Sequence, residues 1–395
     1  MRIGQTIYLD HQATTPLDGR VLAEMVPHHA ESFGNPHSSD HCLGWQAARA
    51  VDEAAARVAR LIGADPDEIF FTSGATESNN MALLGLGRRA AGGNRRRILV
   101  SAIEHKCVLA SVRALEEPHA FAVEQIPVDR QGRVNLAALE DMLGEDVLAV
   151  SVMAVNNEIG TIQDIETISG HVRRHGAVFH CDAAQAPMGM AMGAVATHAD
   201  LLSLSGHKMY GPKGVGIVYI ARGLQDRIEP LIYGGGQQGG LRSGTVPVPL
   251  CVGMGAASQL LDSEEAQDKC DELRCRRNDF VRSLTDSNWP IWLVGPQSEA
   301  RHPGNASICF HGFTAHEILG ALQPSLAAST GSACASGIPE PSHVLRAIGL
   351  DGDDAEATVR FSLGFGTTDE DVEQAVAMIE GVLTRLSKAG LARSA

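Results

Sequence analysis

Ala199-Asp200-Leu201-Leu202-Ser203-Leu204-Ser205-Gly206-His207-Lys208-Met209-Tyr210-Gly211-Pro212-Lys213-Gly214 is a short apolar run that breaks into a loop of Ser, His, Lys and Gly. The run is too short for a helix and reads as a buried strand, and the glycines end it. Lys208 therefore stands just past a strand end. An amine is a useful nucleophile near neutral pH only where desolvation and neighbouring cations lower its pKa, and a strand end beside His207 supplies that setting. The chemistry this suggests is covalent capture of a carbonyl cofactor.

Working outward, similar runs occur at Glu68–Thr72, Arg97–Ser101, Ala122–Ile126, Val147–Val155, Ala177–Cys181 and Val215–Ile220, with helical patterns between many of them. Strands alternating with helices predict an α/β fold, a doubly wound and mainly parallel seven-stranded sheet. Ser39 to Leu61 reads as an amphipathic helix capped by Ser39 or Asp40 and stopped by Gly63; Asp164 to His175 reads as another. From about Leu250 the pattern changes to a long polar helix at Ser263–Asp286, strand-like runs at Ala306–Phe310 and Leu326–Ser329, and a closing helix from Asp369. We expect a large domain over residues 16–255 and a smaller α/β domain formed by residues 1–15 and 256–395.

Composition narrows the function. The 395 residues carry 32 basic and 47 acidic side chains, a net charge of −15, and the one short basic run is Arg95-Arg96-Arg97. A nucleic-acid backbone has little to attract it here. No stretch approaches the roughly 18 apolar residues of a membrane span, and Met1-Arg2-Ile3-Gly4-Gln5 does not open a secretory signal, so a cytoplasmic protein is expected. The eight cysteines are scattered without a Cys-x-x-Cys pair, which predicts neither disulfides nor structural zinc. His180-Cys181-Asp182 suggests metal ligands, but neighbours on a strand point to opposite faces, and no metal site is expected.

Thr72-Ser73-Gly74-Ala75-Thr76-Glu77-Ser78-Asn79-Asn80 follows a strand and opens a helix. Small residues there let backbone N–H groups and hydroxyls reach an anion, so the turn reads as a phosphate cradle or a plain N-cap. Asp182 ends the run before Lys208, and a carboxylate so placed is what a pyridoxal phosphate enzyme needs to keep the pyridine nitrogen protonated. His105, in Glu104-His105-Lys106, is placed to stack on such a ring and to act in acid–base steps. Asn156-Asn157-Glu158-Ile159-Gly160 follows the run Val147–Val155 and would aim an amide at the ring.

These pieces resemble the class V aminotransferase family on the fold type I scaffold of pyridoxal-phosphate enzymes, and more closely the NifS/IscS-type cysteine desulfurases. The likeness runs through Tyr8–Pro16, Phe33–Ser38, Thr72–Asn80, Val155–Gly160, Ser203–Gly214, Arg242-Ser243-Gly244-Thr245 and Arg360–Gly364. It implies pyridoxal 5'-phosphate as cofactor, with Lys208 bonded to its aldehyde, Asp182 on the ring nitrogen, His105 stacked, and Asn157 and Gln185 at the ring and its hydroxyl. Ala75, Thr76, Ser205 and His207 would hold the phosphate. Thr245 would reach the phosphate of a neighbouring copy, which implies a homodimer; Arg360, with Asn35, would bind the substrate carboxylate.

Cys334, in Ser329-Thr330-Gly331-Ser332-Ala333-Cys334-Ala335-Ser336-Gly337, matches the family's thiol-bearing loop. Its small polar neighbours are those of a mobile loop, whereas Cys309, in Ile308-Cys309-Phe310, has a core environment. The implied reaction removes sulfur from L-cysteine, giving L-alanine and a persulfide on Cys334. That sulfur would pass to an acceptor protein for iron–sulfur assembly or thiolation. A selenocysteine lyase or another class V lyase or aminotransferase would share Lys208 and Asp182, and a non-catalytic sulfur carrier is a more distant alternative. Phe365-Gly366 stands where many housekeeping members carry Arg, and the chain stops at Ala395 soon after its last helix, which leaves the acceptor open. His11 replaces the family's commoner Tyr, Asn or Val, with a changed substrate-side wall as the expected result.

Overall fold

The computed structural model describes residues 1–297, 299–331, 342–350 and 352–390. The seven strands read as the main sheet all pair, in the spatial order Ile69–Thr72, Gly216–Ile220, Leu201–Ser205, Val178–Asp182, Val147–Ser151, Arg97–Ser101, Ala122–Ile126. Gly216–Ile220 is antiparallel to both neighbours, so the other six run one way. Most of these strands are buried along their whole length, as continuous apolar runs between two helical layers should be. The carboxyl ends of the six like-directed strands collect on one edge, where an open α/β sheet binds its ligands.

One expected strand is shorter than its apolar run. Val147–Val155 leaves its neighbour Arg97–Ser101 after Ser151, although Val152 to Val155 stay buried and the N–H groups of Val152 and Ala154 still donate to the His180 and Asp182 carbonyls at 3.1 and 2.9 Å. Ser151 is the last residue in register with the neighbouring strand, opposite His180, and beyond it Met153 N–H turns to the Glu104 carboxylate at 2.5 Å. Hydrophobicity alone does not reveal that exit. The helix expected from Ser39 begins at Cys42, capped by the His41 ring, because Ser39 is used in the preceding turn: its carbonyl accepts Trp45 Nε1–H at 2.6 Å. Gly63 ends this helix as expected, in the left-handed region at φ 75°, where an added Cβ would come within 2.4 Å of the Gly193 carbonyl oxygen.

Two three-stranded sheets form a second assembly. Thr6–Tyr8 lies between Arg2–Ile3 and Leu326–Ala327, and Asn305–Phe310 lies between Ile291–Leu293 and Thr358–Ser362. Helices Glu264–Thr285, Ala315–Leu322 and Asp369–Lys388 cover them around a core that includes Leu9, Phe280, Phe310, Phe361 and Leu383. Thr161, in the turn after the strand Val147–Ser151, bridges to Arg301, which ties this second assembly to the carboxyl edge of the large sheet. No helix among the described residues is long and apolar enough to cross a membrane.

Candidate active site

Five of the six strand ends on that edge, all but that of Ala122–Ile126, deliver a short polar segment to a single cavity of about 750 Å³. Lys208, Asp182, His105, Asn157, Gln185, Ala75, Thr76, Ser205, His207 and Arg360 all line it. Residues spread over more than 280 positions of chain therefore share one volume. Asn35 and Thr245 do not line it; both are exposed, and Asn35 Oδ1 accepts from His37 N–H. Cys334 lies outside the described residues. The chain reaches residue 332 through Ser329 and Gly331, which line the cavity, and resumes at Ser342 beside His343, which lines it too.

The Lys208 ammonium donates to the carbonyls of Gln12 at 2.5 Å and Ala13 at 2.8 Å. Burial, with the Arg360 guanidinium adding to it, lowers this amine to about 8, against the pull of Asp10 and Asp182. Asp182 is 5% exposed; Asn79 Nδ2 donates to one of its oxygens at 2.8 Å and Ala184 N–H to the other at 3.0 Å. His105 caps the helix Lys106–Arg113, its Nδ1 accepting from Cys107 N–H at 3.2 Å. With Nδ1 an acceptor, a neutral ring carries its proton on Nε2. Cys107 Sγ lies 3.0 Å from the same nitrogen, and burial with the Asp182 charge holds its thiol up at about 11. Glu104, fully buried, is held well above the carboxylate range by burial and by Asp182.

The phosphate end is an open helix terminus. The helix Ala75–Ala90 has Gly74 at its N-cap position and no side chain capping it, so its first N–H groups face the cavity together with Thr76, Ser205 and His207. Burial, then Lys208 and Lys213, hold His207 near 4, a neutral ring available to an anion. Glu77, in the first turn, is taken up by Arg242 at 2.7 Å and Ser73 N–H at 2.7 Å. That ion pair ties Arg242-Ser243-Gly244-Thr245 to the cradle.

Across the cavity Arg360 is 4% exposed. Its Nη1 donates to the Asn157 carbonyl at 2.8 Å, and Nη2 donates to Asp10 Oδ1 at 2.7 Å and Ser329 Oγ at 2.8 Å. Nε is buried with no partner among the described residues. Asn156 makes the turn that presents its neighbour: its Oδ1 accepts from Glu158 and Ile159 N–H, both at 2.9 Å, and Nδ2 donates to the Ile103 carbonyl. His11 corrects an expectation. It does not line the cavity but is buried under Gly364, its Nδ1 at 3.0 Å from the Ser362 carbonyl, so it forms no substrate-side wall.

Gln12, Asp10, Asn79, Glu104 and Cys107 were not assigned roles from the sequence. Asp10 and Gln12 lie in the Tyr8–Pro16 motif and Asn79 in Thr72–Asn80, so the signal was there, but their partners lie far along the chain. The donor set suits a phosphate-bearing aldehyde with a basic ring nitrogen: an uncapped helix terminus with neutral His207 at one end, a hydrogen-bonded carboxylate at the other, and an amine lowered to about 8 between. Among the described residues no cluster of three His, Cys, Asp or Glu side chains could hold a metal ion.

Comparison with known proteins agrees with this chemistry. The model of the family described as aminotransferase class-V matches residues 7–375. The chain is 42% identical to the cysteine desulfurase IscS of Rickettsia akari (strain Hartford) over 382 residues, covering 97% of this chain and 92% of that protein. It is 46% identical over 372 residues to the mitochondrial cysteine desulfurase of Drosophila melanogaster, covering 94% and 79%. A solved NifS-like protein superposes with a TM-score of 0.89 at 36% identity, covering 98% of this chain and all of that one.

Proposed function

The chain belongs to the class V aminotransferase family, and from that premise we propose that it is a cysteine desulfurase dependent on pyridoxal 5'-phosphate. It takes sulfur from L-cysteine, releases L-alanine and holds the sulfur on Cys334 as a persulfide. The observation that carries this reading is the convergence of Lys208, Asp182, His105 and Arg360 on one cavity whose phosphate end is an uncapped helix terminus. Pyridoxal phosphate, when bound, supplies an electron sink for the negative charge that develops on carbon next to the substrate nitrogen.

The protein's own groups do the rest. Lys208 would hold the cofactor and would take the substrate α-proton; an amine lowered to about 8 is neutral often enough to do so at physiological pH. Asp182, oriented by Asn79, keeps a proton on the ring nitrogen. His105 would stack on the ring face. Gln185 and Asn157 contact the ring and its hydroxyl, while Ala75, Thr76, Ser205 and His207 hold the phosphate. Arg360, which lines the cavity, would bind the substrate carboxylate. The Cys334 thiolate would then attack the substrate sulfur: an S–S bond forms, the C–S bond breaks with its electron pair going to the β-carbon, that carbon takes up a proton, and return of the proton held by Lys208 to the α-carbon completes alanine.

Thr245 is exposed and tied to the cradle through Arg242, and Phe33, Trp45, Ile232 and Tyr233 are exposed apolar side chains, 41% to 71% accessible. A second copy covering them, with Thr245 reaching its phosphate site, is the expected assembly. The sulfur passes to an acceptor protein for iron–sulfur assembly or thiolation, in the cytoplasm. The test is incubation of the holoprotein with L-cysteine, alkylation and peptide mass spectrometry. One added sulfur on Cys334 with matching alanine is expected. In Cys334→Ala, alanine output falls by about 10²-fold or more with the cofactor absorbance kept; full turnover by that variant would refute the persulfide step.

A further inference from the structure

Lys208 Nζ, Gln12 and Asn305 form a buried chain of polar contacts that the roles above leave unused. Gln12 is 2% exposed and Asn305 is fully buried. The Gln12 carbonyl accepts from Lys208 Nζ at 2.5 Å and from Gln185 Nε2 at 2.8 Å, so it contacts two cavity-lining groups together. This is the main-chain carbonyl, and its residue is held at three points: Ala13 N–H donates to the Asp10 carbonyl at 3.0 Å, Gln12 N–H donates to Ser362 Oγ at 2.9 Å, and the side chain is anchored in the second assembly. Asn305, on the strand Asn305–Phe310, donates Nδ2 to Gln12 Oε1 at 2.6 Å and to the Glu158 carbonyl at 3.0 Å. Its Oδ1 accepts from Arg301 Nη1. Arg301 has only donors, so Asn305 must turn its oxygen to Arg301 and its nitrogen to Gln12, and the Gln12 amide has one orientation left. Gly160, at φ 75°, makes the approach possible: an added Cβ would stand 2.6 Å from the Asn305 side chain.

The consequence falls on Lys208. A neutral amine has two N–H bonds and one lone pair. The carbonyls of Gln12 and Ala13 accept both N–H bonds, and the remaining tetrahedral direction, where the lone pair lies, is left to the cavity. We propose that Gln12, locked by Asn305, is a positioning residue that aims the Lys208 lone pair at the substrate α-carbon. This rests on the reading of Lys208 as the base. In the step it serves, the substrate C–H bond breaks, its electron pair stays with the substrate, and the proton forms the third N–H of Nζ in the direction the lone pair had occupied. A misaimed lone pair slows proton transfer without weakening the carboxylate grip or the phosphate cradle.

Gln12→Met, similar in volume but without the oxygen that Asn305 uses, tests this with two readouts. In cofactor-free protein, the pH dependence of Lys208 acetylation, followed by peptide mass spectrometry, shifts to a midpoint about half a pH unit or more lower, because a slack carbonyl stabilises the ammonium less. The charged and titratable groups facing Lys208, namely Arg360, Asp10, Asp182 and His207, are untouched by the substitution. In the holoprotein, exchange of the L-alanine α-proton with deuterium oxide slows about tenfold, while cofactor affinity and the half-saturating alanine concentration stay within about twofold. Asn305→Ser breaks the same link from the other side and is expected to give both changes, with little added in the double variant. Wild-type rates for both variants, a change in one readout only, or a parallel loss of cofactor affinity would overturn the proposal alone. A wild-type holoprotein that exchanges no α-proton would overturn the underlying reading of Lys208, and the proposal with it.

Discussion

Replacing Lys208 by Met in the cofactor-free protein removes a charge that the fold carries at a cost. Burial and Arg360 lower the amine from 10.5 to about 8, which corresponds to about 3 kcal/mol of destabilisation wherever both folded and unfolded chains are protonated. The direction follows from proton counts. Between the two pKa values the unfolded chain binds more protons than the folded one, so wild-type stability rises with pH across this window; below about 8 the whole cost is present. Lys208→Met also leaves the Gln12 and Ala13 carbonyls without their donor, a loss of about 1–3 kcal/mol that does not vary with pH. The informative quantity is thus the change in the variant's advantage with pH. From about pH 7 to about pH 10 the stability of Lys208→Met relative to wild type should fall by about 2.5 kcal/mol, measured by urea unfolding followed by circular dichroism. A gap that stays constant across that range would show that the amine is not perturbed, and the argument for a near-neutral base at this strand end would go with it.

Two further outcomes are expected. Arg360→Gln removes the charged donor for the substrate carboxylate and should raise the half-saturating L-cysteine concentration about 10- to 100-fold, read in steady-state alanine release. The cofactor absorbance should remain, while thermal stability drops because Asp10 loses the guanidinium that neutralises it. Gly63→Ala forces a Cβ into a left-handed position and against the Gly193 carbonyl, and should cost about 2 kcal/mol or more, seen as a lower denaturation midpoint with site chemistry unchanged.

Much of the fold was legible because its signals are local. Arg97–Ser101 and Leu201–Ser205 occupy the spans their apolar runs suggested, since a strand buried on both faces shows as an unbroken apolar run bounded by polar turns. Asp164 and Ser263 cap helices where their side chains allow it. The strands Arg2–Ile3 and Thr6–Tyr8 were not legible: they are short and partly exposed, and Thr6–Tyr8 finds its parallel partner at Leu326–Ala327. The departure of the chain from Arg97–Ser101 after Ser151 was hidden for the opposite reason, because the residues beyond it are as apolar and as buried as the strand itself.

The site divides along the same line. Lys208, Asp182, His105 and the Ser73–Thr76 turn declare themselves in the sequence, because each sits within a few residues of the strand end that presents it, and the chemistry of each side chain is its own. Which groups hold them was decided by the tertiary structure alone. Asp10 meets Arg360 across 350 positions of chain, and Gln12 meets Asn305 across 293. A buried polar atom must find a partner wherever packing brings one, and no short-range pattern records that distance. The lowering of the Lys208 amine, the single orientation of the Gln12 amide and the buried Nε of Arg360 therefore belong to the folded chain, while the identities of the reacting groups were already written in its sequence.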